Sequence, residues 1–173
     1  MAIADVLAAF HELKRSGDVQ DYMIFGSVAA MVHTRPFNTN DIDIGVAVRT
    51  DAALWELLRK LAAYGDTDGF AVVIQGTPVE VFPVDISPII QDALRSAPRK
   101  RVEGMLVKVA APEHLLLEAL RVNRATDRAR VLLLDEVVNR RALNRLFERL
   151  DDRERTLYRR YEGLTGGTAP RPA

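Results

Sequence analysis

The chain contains no cysteine. That excludes disulfide frameworks, thiolate metal sites and cysteine nucleophiles. Histidine is scarce as well: His11, His33 and His114 are too widely spaced for a zinc motif. No apolar run nears the roughly 20 residues that span a bilayer. The opening stretch MAIADVLAAFHELKR lacks a charged leader followed by an apolar segment. No membrane partner is expected, and the expected location is cytoplasmic. Net charge is also absent, at zero for the whole chain.

That zero averages two unlike halves. Residues 1–90 carry 12 acidic and 6 basic side chains, and residues 91–173 carry 12 acidic and 18 basic ones. An acidic front suits cation binding and a basic back suits phosphate or nucleic acid, while attraction between the halves accounts for the same pattern. With 173 residues, 48% of them hydrophobic, the chain can bury one core and carry a small appendage.

Ile3, Val6, Leu7, Phe10 and Leu13 recur at helical spacing, and Ser16-Gly17 ends that run. Tyr22–Phe25 is a short apolar run of strand type. Gly26-Ser27 follows it, and Val28–His33 reads as a helix. Asp41–Val48 alternates as a strand and Asp51–Tyr64 reads as a helix. Two strands, Phe70–Ile74 and Val79–Phe82, are joined through Gln75-Gly76-Thr77-Pro78 in a hairpin-like connection. A helix is expected over Ile86–Ala97 and a strand over Met105–Val109. Pro112 then opens a helical region, with Leu115, Leu116, Ala119 and Leu120 on its buried face, a second helix near Asp127–Val138 and further turns from Arg140 to Tyr161. These elements predict a mixed α/β domain at residues 1–110, a helical subdomain at 111–164 and a disordered Gly/Pro-rich tail at 165–173.

Two Asp-x-Asp pairs occur. Asp66/Asp68 lies in GDTDG, a turn composition in which aspartate caps and solvates. Asp41/Asp43 lies in DIDIGVAV, where Ile42, Ile44 and Val46 supply the opposite face of a strand. Strand alternation puts both carboxylates on one face, about 7 Å apart at their Cα atoms. Such charges repel unless a cation sits between them, and hard oxygen donors suit Mg²⁺ or Mn²⁺. A solvated edge face is the structural alternative. Gly26 permits a tight strand-to-helix turn, Ser27 can cap the helix, and the free N–H groups there favour a phosphate. Glu80 in TPVEVF, flanked by core-facing Val79 and Val81, is the candidate third carboxylate, with Asp85 as the alternative.

Together, IFGSVAAMVHTRPFNTNDIDIGV resembles the opening motif of the polymerase-β-like nucleotidyltransferase superfamily. Gly26-Ser27, a helix and Asp41-Ile42-Asp43 carry the likeness, with Thr39 two residues ahead of the pair. IQGTPVEVFPV and APEHLLLEALRVNRATDRARV resemble the later part of a small bacterial subgroup related to AbiEii-type and minimal nucleotidyltransferases. Three departures stand out: Phe37 where the subgroup has an arginine, Thr126 where it has a phosphate-directed lysine, and Glu80 where several relatives have glutamine.

The resemblance implies a nucleotidyltransferase-like mixed sheet flanked by helices, with a C-terminal helical bundle. It implies metal binding by Asp41, Asp43 and Glu80, and nucleotide binding by Gly26, Ser27, Thr39 and Arg124. The implied reaction is transfer of a nucleoside monophosphate from an NTP, ATP included, to an RNA end, a protein hydroxyl or a small molecule, with Mg²⁺ or Mn²⁺ as cofactor. The alternative is a non-catalytic module of a toxin–antitoxin or defence pair that binds its cognate partner. Arg121, Arg124 and Arg128 would share one face if their helix were continuous, but a break is expected near Asn123; Arg124 is expected to face the cleft, with Arg121 or Arg128 as further candidates.

Overall fold

A computed structural model describes residues 3–65, 67–68 and 71–166 of the chain. Helix α1 (Ile3–Ser16) buries Val6, Leu7, Phe10 and Leu13, the stripe its spacing predicts. It packs on β1 (Asp21–Ile24), and β1 leads through Phe25 into α2 (Gly26–His33). Strand β2 (Ile42–Ala47) follows, then α3 (Asp51–Leu61), the two-residue β3 (Thr67–Asp68), β4 (Ala71–Ile74) and β5 (Thr77–Pro83). Thr50 caps α3 by accepting from the Ala53 N–H at 3.1 Å.

The strands form one mixed sheet in the order β1-β2-β5-β4-β3. β2 runs antiparallel to β1 and parallel to β5, while β4 returns antiparallel to β5. Ile42, Ile44 and Val46 on β2 and Val79 and Val81 on β5 are fully buried. Register decides what lies on the other face: Asp43 stands directly opposite Glu80. Partners in register on neighbouring strands point to the same side, so the alternation of both strands brings two carboxylates together. The β4–β5 turn is two residues long, with Gln75 and Gly76 both at positive φ, the geometry that matches the twist of a tight hairpin.

Beyond β5, a 3-10 turn (Val84–Ile86) precedes α4 (Pro88–Ser96), so the helix expected from Ile86 starts two residues later, at Pro88. A hairpin of β6 (Arg99–Val102) and β7 (Met105–Lys108) follows. The sequence reading has no counterpart for β6, because Arg99, Lys100 and Arg101 are all exposed and leave no apolar alternation. The end of β7 joins the β1 edge, where Val109 bridges Ile24 and the Ala110 N–H donates to the Ile24 carbonyl at 3.0 Å.

Helix α5 (Pro112–Val122) is buried nearly all round and touches α2, α4, α6 (Ala125–Asp135), α7 (Arg140–Leu150) and α8 (Thr156–Thr165). Asn123 ends it in the left-handed conformation, φ 61°. The helix therefore does not continue through Arg124, and Arg121, Arg124 and Arg128 do not share a face. Arg140 hydrogen-bonds both Asp135 and Tyr161, tying α6, α7 and α8 together. Asp68 lies in β3 rather than in a turn, while Asp66, Phe70 and the tail from residue 167 lie outside the described residues. No helix among the described residues is long and apolar enough to cross a membrane.

Candidate active site

The end of β1 is stitched onto β2 at Asp43. The Phe25 N–H donates to the Asp43 carbonyl at 2.9 Å, and the Ser27 N–H approaches the Asp43 carboxylate at 3.4 Å. Gly26, between them, has φ +53°. A Cβ there would fall 1.7 Å from Asp43 Oδ2. Glycine is thus required twice, by the backbone conformation and by the carboxylate pressed against it.

Ser27 is not the helix cap that its residue type suggested. α2 begins at Gly26, so Phe25 is the N-cap and makes no side-chain capping bond. The Ser27 hydroxyl instead accepts from Arg130 Nη2 at 2.8 Å. Asp41 precedes β2, and its Oδ1 accepts from the Thr39 hydroxyl at 2.9 Å. Thr39 therefore orients Asp41 and does not itself reach the cavity wall. Glu80 sits beside Asp43 by register, whereas Asp85 lies on the 3-10 turn and lines a different hollow, with Gln91 and Arg95.

Asp41, Asp43 and Glu80 line one cavity of about 320 Å³ together with Gly26 and Ser27. Burial and the charges of Asp41 and Glu80 push the Asp43 carboxyl up to about 6, against the opposing pull of the Ser27 N–H and the Arg130 charge. Three carboxylates crowd one space here, and their oxygens are the hard donors a divalent cation takes. Among the described residues no group of three or more His, Cys, Asp or Glu side chains is spaced to hold a metal ion, so Asp41, Asp43 and Glu80 would have to draw together around one. Asp41 has one oxygen committed to Thr39.

The opposite side of the cavity is cationic. Arg124 caps α6, and its N–H and Nε donate to Asp127 Oδ2 at 3.1 and 2.8 Å. Arg130 Nη1 reaches the other Asp127 oxygen at 3.4 Å. The Asp127 side chain is only 1% exposed. Its burial works to raise its pKa, but the bonds from Arg124 and the charges of Arg124 and Arg130 carry it below the ordinary aspartate range. One buried carboxylate thus holds two guanidinium groups at the rim, one of them bonded to the Gly26-Ser27 turn. Arg121 is turned away to Glu118, which it meets at 2.6 Å. Arg128 is not among the lining residues. Arg130, absent from the sequence-level candidates, carried one legible signal: it lies three residues beyond Asp127 on the same helix, a spacing at which opposite charges meet.

No family model matches the chain, and no curated protein does either. Solved structures do. An antigenic nucleotidyltransferase-like protein from Paracoccidioides brasiliensis matches over 88% of this chain and 90% of its own, with TM-score 0.53 and 21% identity. The antibiotic-resistance factor ANT(2'')-Ia in solution matches over 95% and 93%, with TM-score 0.56 and 18% identity. The fold is nucleotidyltransferase-like. A crystal structure of ANT(2'')-Ia in complex with adenylyl-2''-tobramycin matches over 83% of this chain and 91% of its own, with TM-score 0.50 and 16% identity. In this nucleotidyltransferase-like frame, the turn after β1 and the start of β2 bring Gly26, Ser27, Asp41 and Asp43 to one cavity.

Proposed function

We propose that the chain is a metal-dependent nucleotidyltransferase that moves a nucleoside monophosphate from an NTP to an acceptor hydroxyl. The observation that carries this reading is the convergence of Asp41, Asp43 and Glu80 on one cavity with the Gly26-Ser27 turn and with Arg124 and Arg130. The charge distribution supports it: a triphosphate presents anionic oxygens to the two arginines and to the N-terminus of α2. The crowded carboxylates face the reacting phosphorus, and their repulsion calls for a cation.

Asp41 and Asp43, with Glu80, would hold Mg²⁺ or Mn²⁺, which when bound offsets charge on the attacking and leaving oxygens. Ser27 N–H, Arg130 and Arg124 hold the β- and γ-phosphates. The acceptor oxygen attacks the α-phosphorus, its proton passes to Glu80, and the bond to pyrophosphate breaks in line. Arg130 and Arg124 stabilise the charge that builds on the departing pyrophosphate. Membership in the small bacterial subgroup related to AbiEii-type and minimal nucleotidyltransferases belongs to the same proposal. It rests on the motif residues around Gly26, Asp41 and Pro112. The cationic groups Arg124 and Arg130 beside the carboxylates support turnover over a non-catalytic module, whose groove an apolar patch would seal.

The test is incubation with each labelled NTP and Mg²⁺ or Mn²⁺, offering cellular RNA, cellular protein and small hydroxylated compounds as acceptors. Label should move to one acceptor class, and the Asp41→Asn/Asp43→Asn variant should transfer none. Absence of transfer to every class, from a protein that binds nucleotide, would overturn the enzymatic reading.

A further inference from the structure

The cavity lining is of two kinds. Beyond the carboxylates and arginines, its wall is made of Phe82, Ile86, Ile90, Leu115, Ala119 and Val122. Ile90, Leu115 and Ala119 form a buried floor, while Ile86 is 57% exposed and Val122 40% exposed. Large apolar side chains standing open inside a cavity await a ligand that covers them. The Phe82 ring is held edge-on by Phe25, their centroids 6.0 Å apart at 83°.

One polar side chain interrupts this wall, and it is already engaged. Glu118 accepts from Arg121 Nη2 at 2.6 Å, from Arg121 Nε at 2.9 Å and from the Ser87 hydroxyl at 3.3 Å. In all three contacts the carboxylate is the acceptor. Among the described residues, no Asn, Gln, Thr or Tyr side chain lines the cavity, and Ser27 stands at its phosphate end.

Building on the reading of this site as a nucleotide site, we propose that the apolar wall seats the base of the incoming NTP without reading the base's edge, so that all four NTPs bind alike. Phosphates anchored on Ser27, Arg124 and Arg130 fix one end of the nucleotide and leave its base facing the wall. Every base presents a flat π-face that packs on apolar surface whatever its edge pattern. Discrimination between bases needs placed donors and acceptors that a wrong base leaves unpaired; this wall offers no donor side chain, and its one acceptor, Glu118, is engaged by Arg121 and Ser87. The cavity, about 320 Å³, is at the small end of ligand-site sizes, so the wall has one occupant. The arrangement separates recognition into a phosphate grip that is charge-specific and a base seat that is shape-specific only.

The experiment is calorimetric titration of the wild type, Ile86→Ser and Val122→Ser with ATP, GTP, CTP, UTP and inorganic tripolyphosphate, each with Mn²⁺. Both substitutions fall on exposed positions, at a turn and at a helix end, so the fold tolerates them. The four NTPs should bind within about tenfold of one another, the factor that one base-edge hydrogen bond commands. Each should bind roughly tenfold or more tighter than tripolyphosphate. Both variants should shrink that advantage for all four NTPs and leave tripolyphosphate unchanged.

A spread beyond about tenfold among the NTPs overturns the proposal, because the site then reads an edge. Equal affinity for NTPs and tripolyphosphate also overturns it, as do variants that bind NTPs like the wild type; the wall then seats the acceptor or nothing. Failure of tripolyphosphate and every NTP to bind removes the nucleotide reading itself. That result is distinct from selective loss of base indifference.

Discussion

Arg130 donates to the Ser27 hydroxyl at 2.8 Å and so ties α6 to the first turn of α2. The bond closes the Ser27 end of the cavity from the helical side. A bound triphosphate would accept from Arg130 and from the Ser27 hydroxyl in place of this internal contact. Arg130→Ala should therefore weaken NTP and tripolyphosphate binding by about tenfold or more, and Arg130→Lys, which lacks the two-point fork, should recover only part of the loss. Calorimetry with both ligands checks this. Unchanged affinity in Arg130→Ala would make the arginine a purely structural tie.

Asp41→Asn/Asp43→Asn should abolish the stabilisation that Mn²⁺ gives the wild type. A ligand bound only by the folded state at a hundred times its Kd adds about 2.7 kcal/mol, several degrees in Tm for a chain of this size. Thermal melts with and without the ion measure it. Equal shifts in both proteins would locate the ion elsewhere.

Asp43 sets a pH dependence with a definite sign. Its carboxyl sits at about 6 in the folded protein, against about 3.9 in an unfolded chain. Below about pH 4 it is protonated in both states and costs nothing. Between about 4 and 6 the folded state keeps a proton that the unfolded state has released, so stability falls as pH rises, by up to about 3 kcal/mol. Asp127, Asp21 and Asp135 act in the opposite direction, since their pKa values are lowered and their contribution is lost as pH falls. The difference in unfolding free energy between Asp43→Asn and wild type isolates the Asp43 part. Without divalent ions it should grow in favour of the variant across that window and then level off, and saturating Mn²⁺ should erase it.

Gly26→Ala should be severe for a local reason. A non-glycine residue at φ +53° is strained by about 1–2 kcal/mol, and its methyl must also displace the Asp43 carboxylate. Chemical denaturation should show a loss exceeding the backbone strain alone. The Mn²⁺ response should vanish even where the variant remains folded.

Much of this arrangement is legible in the residues. The alternation of Ile42, Ile44 and Val46 against Asp41 and Asp43, and of Val79 and Val81 against Glu80, orients both strands without coordinates. What it does not supply is the pairing of β2 with β5, because register between strands far apart in the chain depends on the whole sheet. Strand β6 has no legible pattern because the side chains of Arg99, Lys100 and Arg101 are all exposed. The break near Asn123 is legible in the residues, but the phase of the helix that restarts after its left-handed turn is not, and that phase brings Arg130 to the cavity beside Arg124 while Arg128 stays off it. Ser27 has no capping role because the helix begins at Gly26, two residues earlier than its composition suggests.

The crowding at Asp43 also bears on how such a chain changes over generations. Replacing that carboxylate by an amide would relieve the repulsion and, on the proposed reading of the site, end the chemistry. A chain of this fold that carried no selection on the proposed activity would gain stability by losing the aspartate. Inert copies of this fold would be recognised by an intact Gly26-Ser27 turn beside a neutral side chain at position 43.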